Sequence, residues 1–188
     1  MSKSLIELCI IILLLLAYLL YNRITRKDHI KPQINLDLTS TAFDDGGMMP
    51  VKYTGRGENV SPSLTFGNID TKAKTTAIIM DDLDHPLGMY NHWVIWNIPA
   101  RFDSIPESIR RTPVVSELGN AVQGRSDYGG KHYYRGPLPP FGTHEYEFKV
   151  YVLDCNLDIP VNTGKKKLQK AMEGHVLQYG VLRGKYGR

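Results

Sequence analysis

The sequence predicts a mainly β domain, and three observations support this fold class. Short apolar runs rich in β-branched and aromatic residues recur along the chain and suit pleated strands. The 17 glycines and 11 prolines lie between these runs, as in a turn-rich β domain rather than a helical bundle. The 188 residues contain no internal repeat, and a content of 42% hydrophobic and 22% charged residues fits one globular domain with an appendage.

The individual elements follow from local patterns. Strands are predicted at residues 34–43, Leu64–Phe66, Thr75–Met80, His92–Ile98 and Glu145–Leu153. A helix is predicted over Asn162–Tyr179, because apolar residues recur there at spacings of four and three. Gly174 lowers the stability of this helix or marks a break between two shorter ones.

The N-terminal run Leu5–Tyr21 is apolar except for Glu7 and predicts a transmembrane helix. Its 17 residues lie at the short end of the roughly 17–25 that cross a bilayer. A cleaved signal peptide of a secreted protein is the alternative, but no small-x-small cleavage site follows. The chain is therefore divided into a membrane anchor at 1–22, a linker at 23–33 and a domain at 34–188. Basic residues after the run favour a cytoplasmic domain, and export of the domain stays open.

The charge distribution argues against nucleic-acid binding. Of the net charge of +4, residues 1–33 carry +3 and residues 164–188 carry +6, so the middle of the chain is acidic at −5. Basic ends on an acidic body favour a surface near anionic lipid over a domain that grips a duplex. An internal disulfide is not expected, because Cys9 lies in the apolar run and Cys155 is the only other cysteine.

Two polar clusters each combine a proline-containing loop with a histidine at the mouth of a strand. The first polar cluster is Asp82, Asp84, Pro86 and His92, and the second is Pro139, Pro140, Gly142 and His144. If the loops meet, two imidazoles and backbone amides would bind a phosphate-like anion. A carboxylate would then orient a histidine or meet a cationic group of the ligand. Alternatively, the aspartates only cap a turn and the histidines are ordinary strand-end residues.

These clusters resemble the two signatures of the phosphatidylethanolamine-binding protein family, which includes the Raf kinase inhibitor proteins. The first cluster, with Trp93 and Asn97–Pro99, is similar to DPDxP…HW…NIP, and Gly136–Pro140 with His144–Tyr146 is similar to GPxPPxG…HRY. The resemblance covers about residues 36–188 and is closest to the bacterial and archaeal branch. Three positions depart from the pattern: Leu83 replaces a proline, Glu145 an arginine and Gly55 a frequent cysteine.

The resemblance implies a large antiparallel sheet flanked by a smaller sheet and a C-terminal helix. It also implies a shallow anion pocket for phosphate-bearing small molecules or phospholipid head groups, and regulation of a protein partner such as a kinase. Ligand-binding residues carried over from the family are Asp82, Asp84, Pro86, His92, Tyr134, Pro139, His144 and Tyr146. No cofactor and no shared catalytic reaction are implied, so a binding module is preferred over an enzyme.

Two other functions stay open at this point. A hydrolase would use His144 or His92 as a general base oriented by an aspartate. It could instead collect a divalent metal with Asp82, Asp84, His85 and His92, although this spacing lacks the regularity of known metal motifs. In the third hypothesis the pocket is vestigial, and the protein acts on its partner through its surface alone.

Overall fold

The computed structural model describes residues 3–25, 28, 30, 32–33 and 35–187. Four residues of the predicted linker, at positions 26, 27, 29 and 31, lie outside the described residues, as does Ile34 in the first predicted strand. Arg188, at the end of the family resemblance, also lies outside them.

Within this part of the chain, two α-helices and ten β-strands form. The helices are α1 (Lys3–Thr25) and α2 (Lys165–Met172). The strands are β1 (Asp37–Thr39), β2 (Gly47–Met48), β3 (Leu64–Gly67), β4 (Thr75–Asp82), β5 (Tyr90–Pro99), β6 (Ser104–Ile105), β7 (Val114–Val115), β8 (Ala121–Gln123), β9 (Thr143–Leu153) and β10 (Val176–Gly187).

The strands build one large and one small sheet, which confirms the predicted mainly β class. The large sheet has seven strands in the order β2-β10-β9-β4-β5-β8-β7, and the small sheet has the order β1-β3-β6. All pairings are antiparallel except that of β10 with β2, which is parallel. The long central strands β4, β5, β9 and β10 therefore form the frame that positions the polar clusters.

Both faces of the large sheet are covered, which explains why all eight residues of β4 are buried. Successive side chains of a strand point to opposite faces. Ile78 and Met80 pack in a core with residues of the small sheet, whereas Ala77 and Ile79 pack in a second core with Leu168 of α2. The apolar run in this strand is therefore continuous rather than alternating.

The predicted helix over Asn162–Tyr179 is correct only in its middle. Helix α2 ends at Met172, and Gly174 adopts a left-handed conformation with φ +80° that a helix cannot contain. From Val176 onward the chain pairs with β9 as strand β10. The spacing of apolar residues continued past the end of the helix because strand β10 is itself half-buried.

The structure contradicts the predicted transmembrane helix and, with it, the predicted membrane location. In the ranges that the structure describes, no helix is both long and apolar enough to cross a bilayer. Helix α1 extends over Lys3–Thr25, but its apolar stretch stays at the 17 residues of Leu5–Tyr21, the lower limit for a span.

The first predicted strand is also shorter than expected, because only Asp37–Thr39 pair in the small sheet.

Candidate functional site

The two polar clusters meet at one end of the large sheet. Asp82 is the last residue of β4 and pairs with Tyr146 of the neighbouring strand β9. His92 lies near the start of β5, which pairs with β4 on its other side. Just past the end of β4, the backbone N–H of Leu83 donates to the carbonyl of Glu145 in β9 at 2.9 Å. The loop after β4 is therefore joined directly to the start of β9.

His144 and Asp82 form a buried hydrogen-bonded pair. His144 Nδ1 lies 2.8 Å from Oδ2 and 3.1 Å from Oδ1 of Asp82. Because a carboxylate can only accept, the Nδ1 atom carries a proton. The loop holds this pair in place: Asp82 Oδ1 accepts from the backbone N–H of Asp84 at 2.9 Å, and Asp84 Oδ2 accepts from that of Glu145 at 2.7 Å.

His92 is held by a second hydrogen bond of the same kind. Its Nδ1 lies 2.7 Å from the carbonyl oxygen of Arg135, which can only accept, so this nitrogen also carries a proton. Burial lowers the pKa of His92, although the bond to the Arg135 carbonyl opposes the shift. His92 is therefore neutral at neutral pH, and its Nε2 is unprotonated.

The remaining ring nitrogens of both histidines have no hydrogen-bond partner among the described residues, and the two residues are only 3% and 6% exposed. In the described part of the chain, Nε2 of neither ring makes a hydrogen bond, and neither atom is among the fully buried atoms without a partner. The Tyr146 ring lies edge-on to His92 at 5.4 Å and parallel to His144 at 6.4 Å. Three rings thus form a strip that presents two Nε2 atoms.

The Tyr146 hydroxyl lies beside this strip, near the Asp82 carboxylate. It is buried and makes no hydrogen bond of ordinary geometry to the described residues. Burial raises the pKa of Tyr146, and the nearby Asp82 carboxylate adds to the shift. The hydroxyl therefore keeps its proton at any physiological pH.

Three other predicted site residues lie on the loops around the strip. Asp84 and Pro86 are exposed on the loop after β4. Pro139 is buried, and its carbonyl oxygen accepts from Arg56 Nη2 at 3.3 Å. This contact places a guanidinium group against the second polar cluster.

Tyr134 lies behind the site, in the core. It is 2% exposed, its hydroxyl donates to the Tyr53 carbonyl at 2.7 Å, and its ring packs edge-on against Trp93 at 5.6 Å. Burial raises its pKa well above the usual value for tyrosine. These contacts indicate that Tyr134 packs behind the strip.

Sequence reasoning missed two residues that border His92. The Arg135 guanidinium lies 4.7 Å above the Tyr128 ring, and that ring lies 5.7 Å from the His92 ring. Arg135 Nε is buried and has no hydrogen-bond partner among the described residues. Arg135 directly precedes the second signature at Gly136, and this position was the one sequence feature that could have pointed to it. The contact of its backbone carbonyl with His92 cannot be recognised from sequence.

Asp81 is not part of this site, because neighbouring residues of a strand face opposite ways. Its side chain points to the α2 side of the sheet, into a group that we name the buried ion cluster: Asp28, Asp81, Glu147, Lys149 and Lys165. Lys149 Nζ lies 2.6 Å from Asp28 Oδ2 and 2.8 Å from Asp81 Oδ2. Lys165 Nζ lies 2.8 Å from Asp28 Oδ1 and 2.7 Å from Asp81 Oδ2.

In this cluster, the attraction between the lysines and the aspartates changes the pKa values more than burial does. Burial raises the pKa of Asp28, but Lys165 and Lys149 outweigh it and lower the pKa to about 2. The same balance lowers the pKa of Asp81. Burial lowers the pKa of Lys149, but Asp81 and Asp28 outweigh it and raise the pKa above its usual value. Asp28, Asp81 and Lys149 are therefore ionised at neutral pH.

Comparison with known proteins identifies the fold and the family. A family model described as phosphatidylethanolamine-binding protein matches residues 39–187. A solved phosphatidylethanolamine-binding protein homolog from Chlamydia trachomatis is 30% identical with a TM-score of 0.74, covering 83% of this chain and 99% of that one. YbcL of E. coli, described as a member of the mammalian family, is 28% identical with a TM-score of 0.72, covering 81% of this chain and 98% of that one.

Archaeal relatives are more similar in sequence. A UPF0098 protein of Pyrococcus abyssi is 44% identical over 151 residues, which cover 79% of this chain and 84% of that protein. Another from Methanothermobacter thermautotrophicus is 42% identical over 154 residues, covering 81% of this chain and 99% of that protein. The family predicted from the two signatures is confirmed, and the chain belongs to the phosphatidylethanolamine-binding protein family.

Proposed function

We propose that this protein binds phosphate-bearing small molecules or phospholipid head groups at the strip formed by His92, Tyr146 and His144. The observation that carries the proposal is the shared arrangement of the two histidines. Each commits its Nδ1–H to an internal acceptor and leaves its Nε2 without a partner among the described residues and not fully buried. The two Nε2 atoms, whose positions are fixed by the sheet, provide a preorganised site for oxygen atoms of a ligand.

Phosphate binding at this strip requires a proton at Nε2 of at least one histidine. A neutral imidazole with its proton on Nδ1 offers only a lone pair at Nε2, which repels a phosphate oxygen unless that oxygen carries a proton. Burial lowers the pKa of His92, so its Nε2 stays unprotonated at neutral pH. Phosphate monoesters have a second pKa of about 6, so the ligand can also supply the proton.

The charges around the strip favour a ligand with both a phosphate and an amine. Arg56 and Arg135 border the second polar cluster and His92, where they attract phosphate. Asp84 and Glu145 lie at the loop contact and bring negative charge to the same end of the sheet. An ammonium group near these carboxylates offsets their repulsion of phosphate, so phosphorylethanolamine should bind more tightly than inorganic phosphate.

The test is a titration of the full chain with phosphorylethanolamine and with inorganic phosphate, followed through the imidazole NMR resonances. We expect the His92 and His144 resonances to shift at millimolar ligand. The Asp82→Asn variant should bind about tenfold or more weakly, because the carboxylate that holds the His144 ring in place is lost. Asp158→Asn, at an exposed position outside the site, is the matched control. No shift at millimolar ligand in the wild type would overturn the proposal.

Regulation of a protein partner, such as a kinase, is proposed for the second polar cluster. Its loop carries two exposed apolar side chains, Phe141 and Leu138. Exposed aromatic residues are frequent anchors of protein interfaces. A Phe141→Ser variant should keep ligand binding but lose regulation of the partner. If an Asp82→Ala/His144→Ala double variant kept the full biological effect, the ligand site would be dispensable and the surface alone would act.

A hydrolase is the second candidate, and the Asp82–His144 hydrogen bond is the observation that favours it. A carboxylate that holds Nδ1–H and leaves Nε2 free is the arrangement of a general base. Activity toward phosphate esters that is lost in His144→Ala would support this function. The metal-dependent form is not favoured, since the described side chains of the first polar cluster do not converge as a ligand set.

A further inference from the structure

Three side chains of metal-binding type converge at the far end of the β9–β10 pair from the polar clusters. Asp154 and Cys155 directly follow β9, and His175 directly precedes β10. One donor atom of each side chain lies within 4.8 Å of the other two. Across the described ranges, no other group of three or more histidine, cysteine or acidic side chains converges in this way.

The sheet fixes the backbone of these three residues. The Asp154 N–H donates to the His175 carbonyl at 3.1 Å, which continues the pairing of β9 with β10. The Cys155 carbonyl accepts from the Thr75 hydroxyl of β4 at 2.5 Å. The side chains of His175 and Asp154 are 47% and 43% exposed, so their ends can rotate while their backbones stay in place.

We propose that Asp154, Cys155 and His175 bind Zn²⁺, with water as the fourth ligand. Thiolate and imidazole ligands suit zinc and disfavour Mg²⁺ and Ca²⁺, which prefer oxygen ligands only. Three protein ligands at this end of the β9–β10 pair leave an open coordination position, and the exposure of His175 and Asp154 gives the ion a direct path from solvent.

Only small side-chain movements are needed to reach zinc geometry. With bonds of about 2.0–2.3 Å, donor atoms around a tetrahedral zinc lie about 3.3–3.6 Å apart. His175 Nδ1 and Asp154 Oδ1 now share a hydrogen bond at 2.8 Å and separate by about half an ångström. Donor atoms at the 4.8 Å limit approach by roughly 1 Å, which rotation of exposed side chains can supply.

The charges of the bound site balance. Zinc binding releases the Cys155 thiol proton to solvent, because the thiolate is the ligand form. The Nδ1 proton that His175 now donates to Asp154 is also lost to solvent and Nε2 takes up a proton in exchange, which leaves a neutral imidazole with Nδ1 free to bind the ion. One thiolate, one carboxylate and one neutral imidazole together cancel the two positive charges of the ion. Lys74 interacts electrostatically with Cys155. With zinc bound, its positive charge therefore faces a neutral complex rather than a second positive charge.

The test uses the purified full chain after removal of bound metal with a chelator. Zinc is titrated in competition with a chromophoric chelator, and cobalt is titrated while the absorption spectrum is recorded. We expect one zinc per chain, and a thiolate-to-cobalt charge-transfer band from the Co²⁺ complex. Cys155→Ser and His175→Ala should weaken zinc binding at least about tenfold, since loss of even an outer-shell partner of a metal costs about 10–100-fold.

Two variants serve as matched controls: Cys9→Ser removes the other cysteine, and Asp158→Asn removes an exposed carboxylate close in sequence. Both should bind zinc as the wild type does. The proposal is overturned if the wild type takes up no stoichiometric zinc, if Cys155→Ser binds as tightly, or if the cobalt complex lacks the thiolate band. The band is read in the wild type, so this outcome does not depend on the folding of any variant.

Discussion

Replacing Lys149 with methionine should destabilise the fold by about 3 kcal/mol. The Lys149 side chain is 1% exposed, and its ammonium group forms ion pairs with two carboxylates of the buried ion cluster, Asp28 and Asp81. Methionine has a similar length and fills the same space, so the change removes the charge with little loss of packing. The cluster is then left with a buried, uncompensated negative charge.

The magnitude follows from what remains after the substitution. Removing one partner of a buried ion pair costs about 3–5 kcal/mol. Lys165 still lies within 2.7–2.8 Å of both aspartates, which places the expected cost at the lower end of that range. The pKa of Asp28 gives an independent scale. Its decrease from 3.8 to about 2 corresponds to about 2 kcal/mol of stability at neutral pH, of which Lys149 supplies one part.

The same shift fixes the pH dependence. A carboxyl group whose pKa is lowered by folding stabilises the protein above its unfolded pKa, and this contribution is lost as the pH falls through the folded pKa. For Asp28 the window lies between 3.8 and about 2. Loss of Lys149 raises the folded pKa values of the aspartates, so acid unfolding of the Lys149→Met variant should begin at a higher pH than in the wild type.

Denaturant unfolding of the wild type, Lys149→Met, Asp81→Asn and the double variant measures the effect. Lys167→Met, at an exposed position of α2, is the control and should change stability by less than about 0.5 kcal/mol. The double variant restores charge balance, so its cost should be clearly smaller than the sum of the two single costs. A cost equal to that sum within about 0.5 kcal/mol would refute a direct interaction between the two groups.

Three further predictions concern pH, close packing and the second core. Burial lowers the pKa of His92, so as the pH falls below about 6.5 this histidine takes up a proton in the unfolded chain but not in the folded one. The wild type therefore loses stability between about pH 7.5 and about pH 5, and the His92→Asn variant should lose less. An equal loss in the two proteins would contradict this. Gly136→Ala should destabilise by about 2 kcal/mol or more in thermal unfolding, since a Cβ there would lie 2.2 Å from a backbone oxygen, whereas Gly129→Ala meets no atom within 4 Å and should cost about 1 kcal/mol for its positive φ. Met172→Ala in α2 should cost about 2–5 kcal/mol in denaturant unfolding because the side chain is fully buried, and a cost below about 1 kcal/mol would show that α2 does not seal this core.

The central strands could be predicted because their signals are local, whereas the meeting of the two polar clusters was only a condition of the predicted pocket. Thr75–Met80 and His92–Ile98 carry enough β-branched and aromatic residues to identify central strands, and both were found inside β4 and β5. The end of α2 could not be placed, because the apolar spacing of the helix continues into β10. What ends the helix is a backbone conformation at Gly174, which composition signals only weakly.

The separation of Asp81 from Asp82 could not be predicted from their sequence alone. Neighbouring residues face opposite sides of a strand, but which side holds the ligand site depends on the partner strand. Lys149, which binds Asp81, is 68 residues away in sequence. Asp28 lies 121 residues from Lys149 and falls in what was interpreted as a linker. Partners at such distances have no local pattern, so the buried ion cluster became visible only in the folded chain.

The same limit applied to Arg135, whose contribution is a backbone carbonyl. Any residue type supplies a carbonyl, so no side-chain pattern identifies the acceptor that fixes His92. The Asp82–His144 pair was different. An aspartate that orients a histidine was expected from the residue types, and the structure shows that Asp82 and His144 are the two residues involved.

The central claim is that the strip formed by His92, Tyr146 and His144 binds phosphate. A crystal structure of the protein soaked with phosphorylethanolamine tests it most directly. We expect a phosphate oxygen within about 3 Å of Nε2 of His144, with the Nδ1–H still donating to Asp82 and the amine toward the carboxylates of the first loop. A structure at saturating ligand with no density at this strip, or with the phosphate bound elsewhere, would contradict the account.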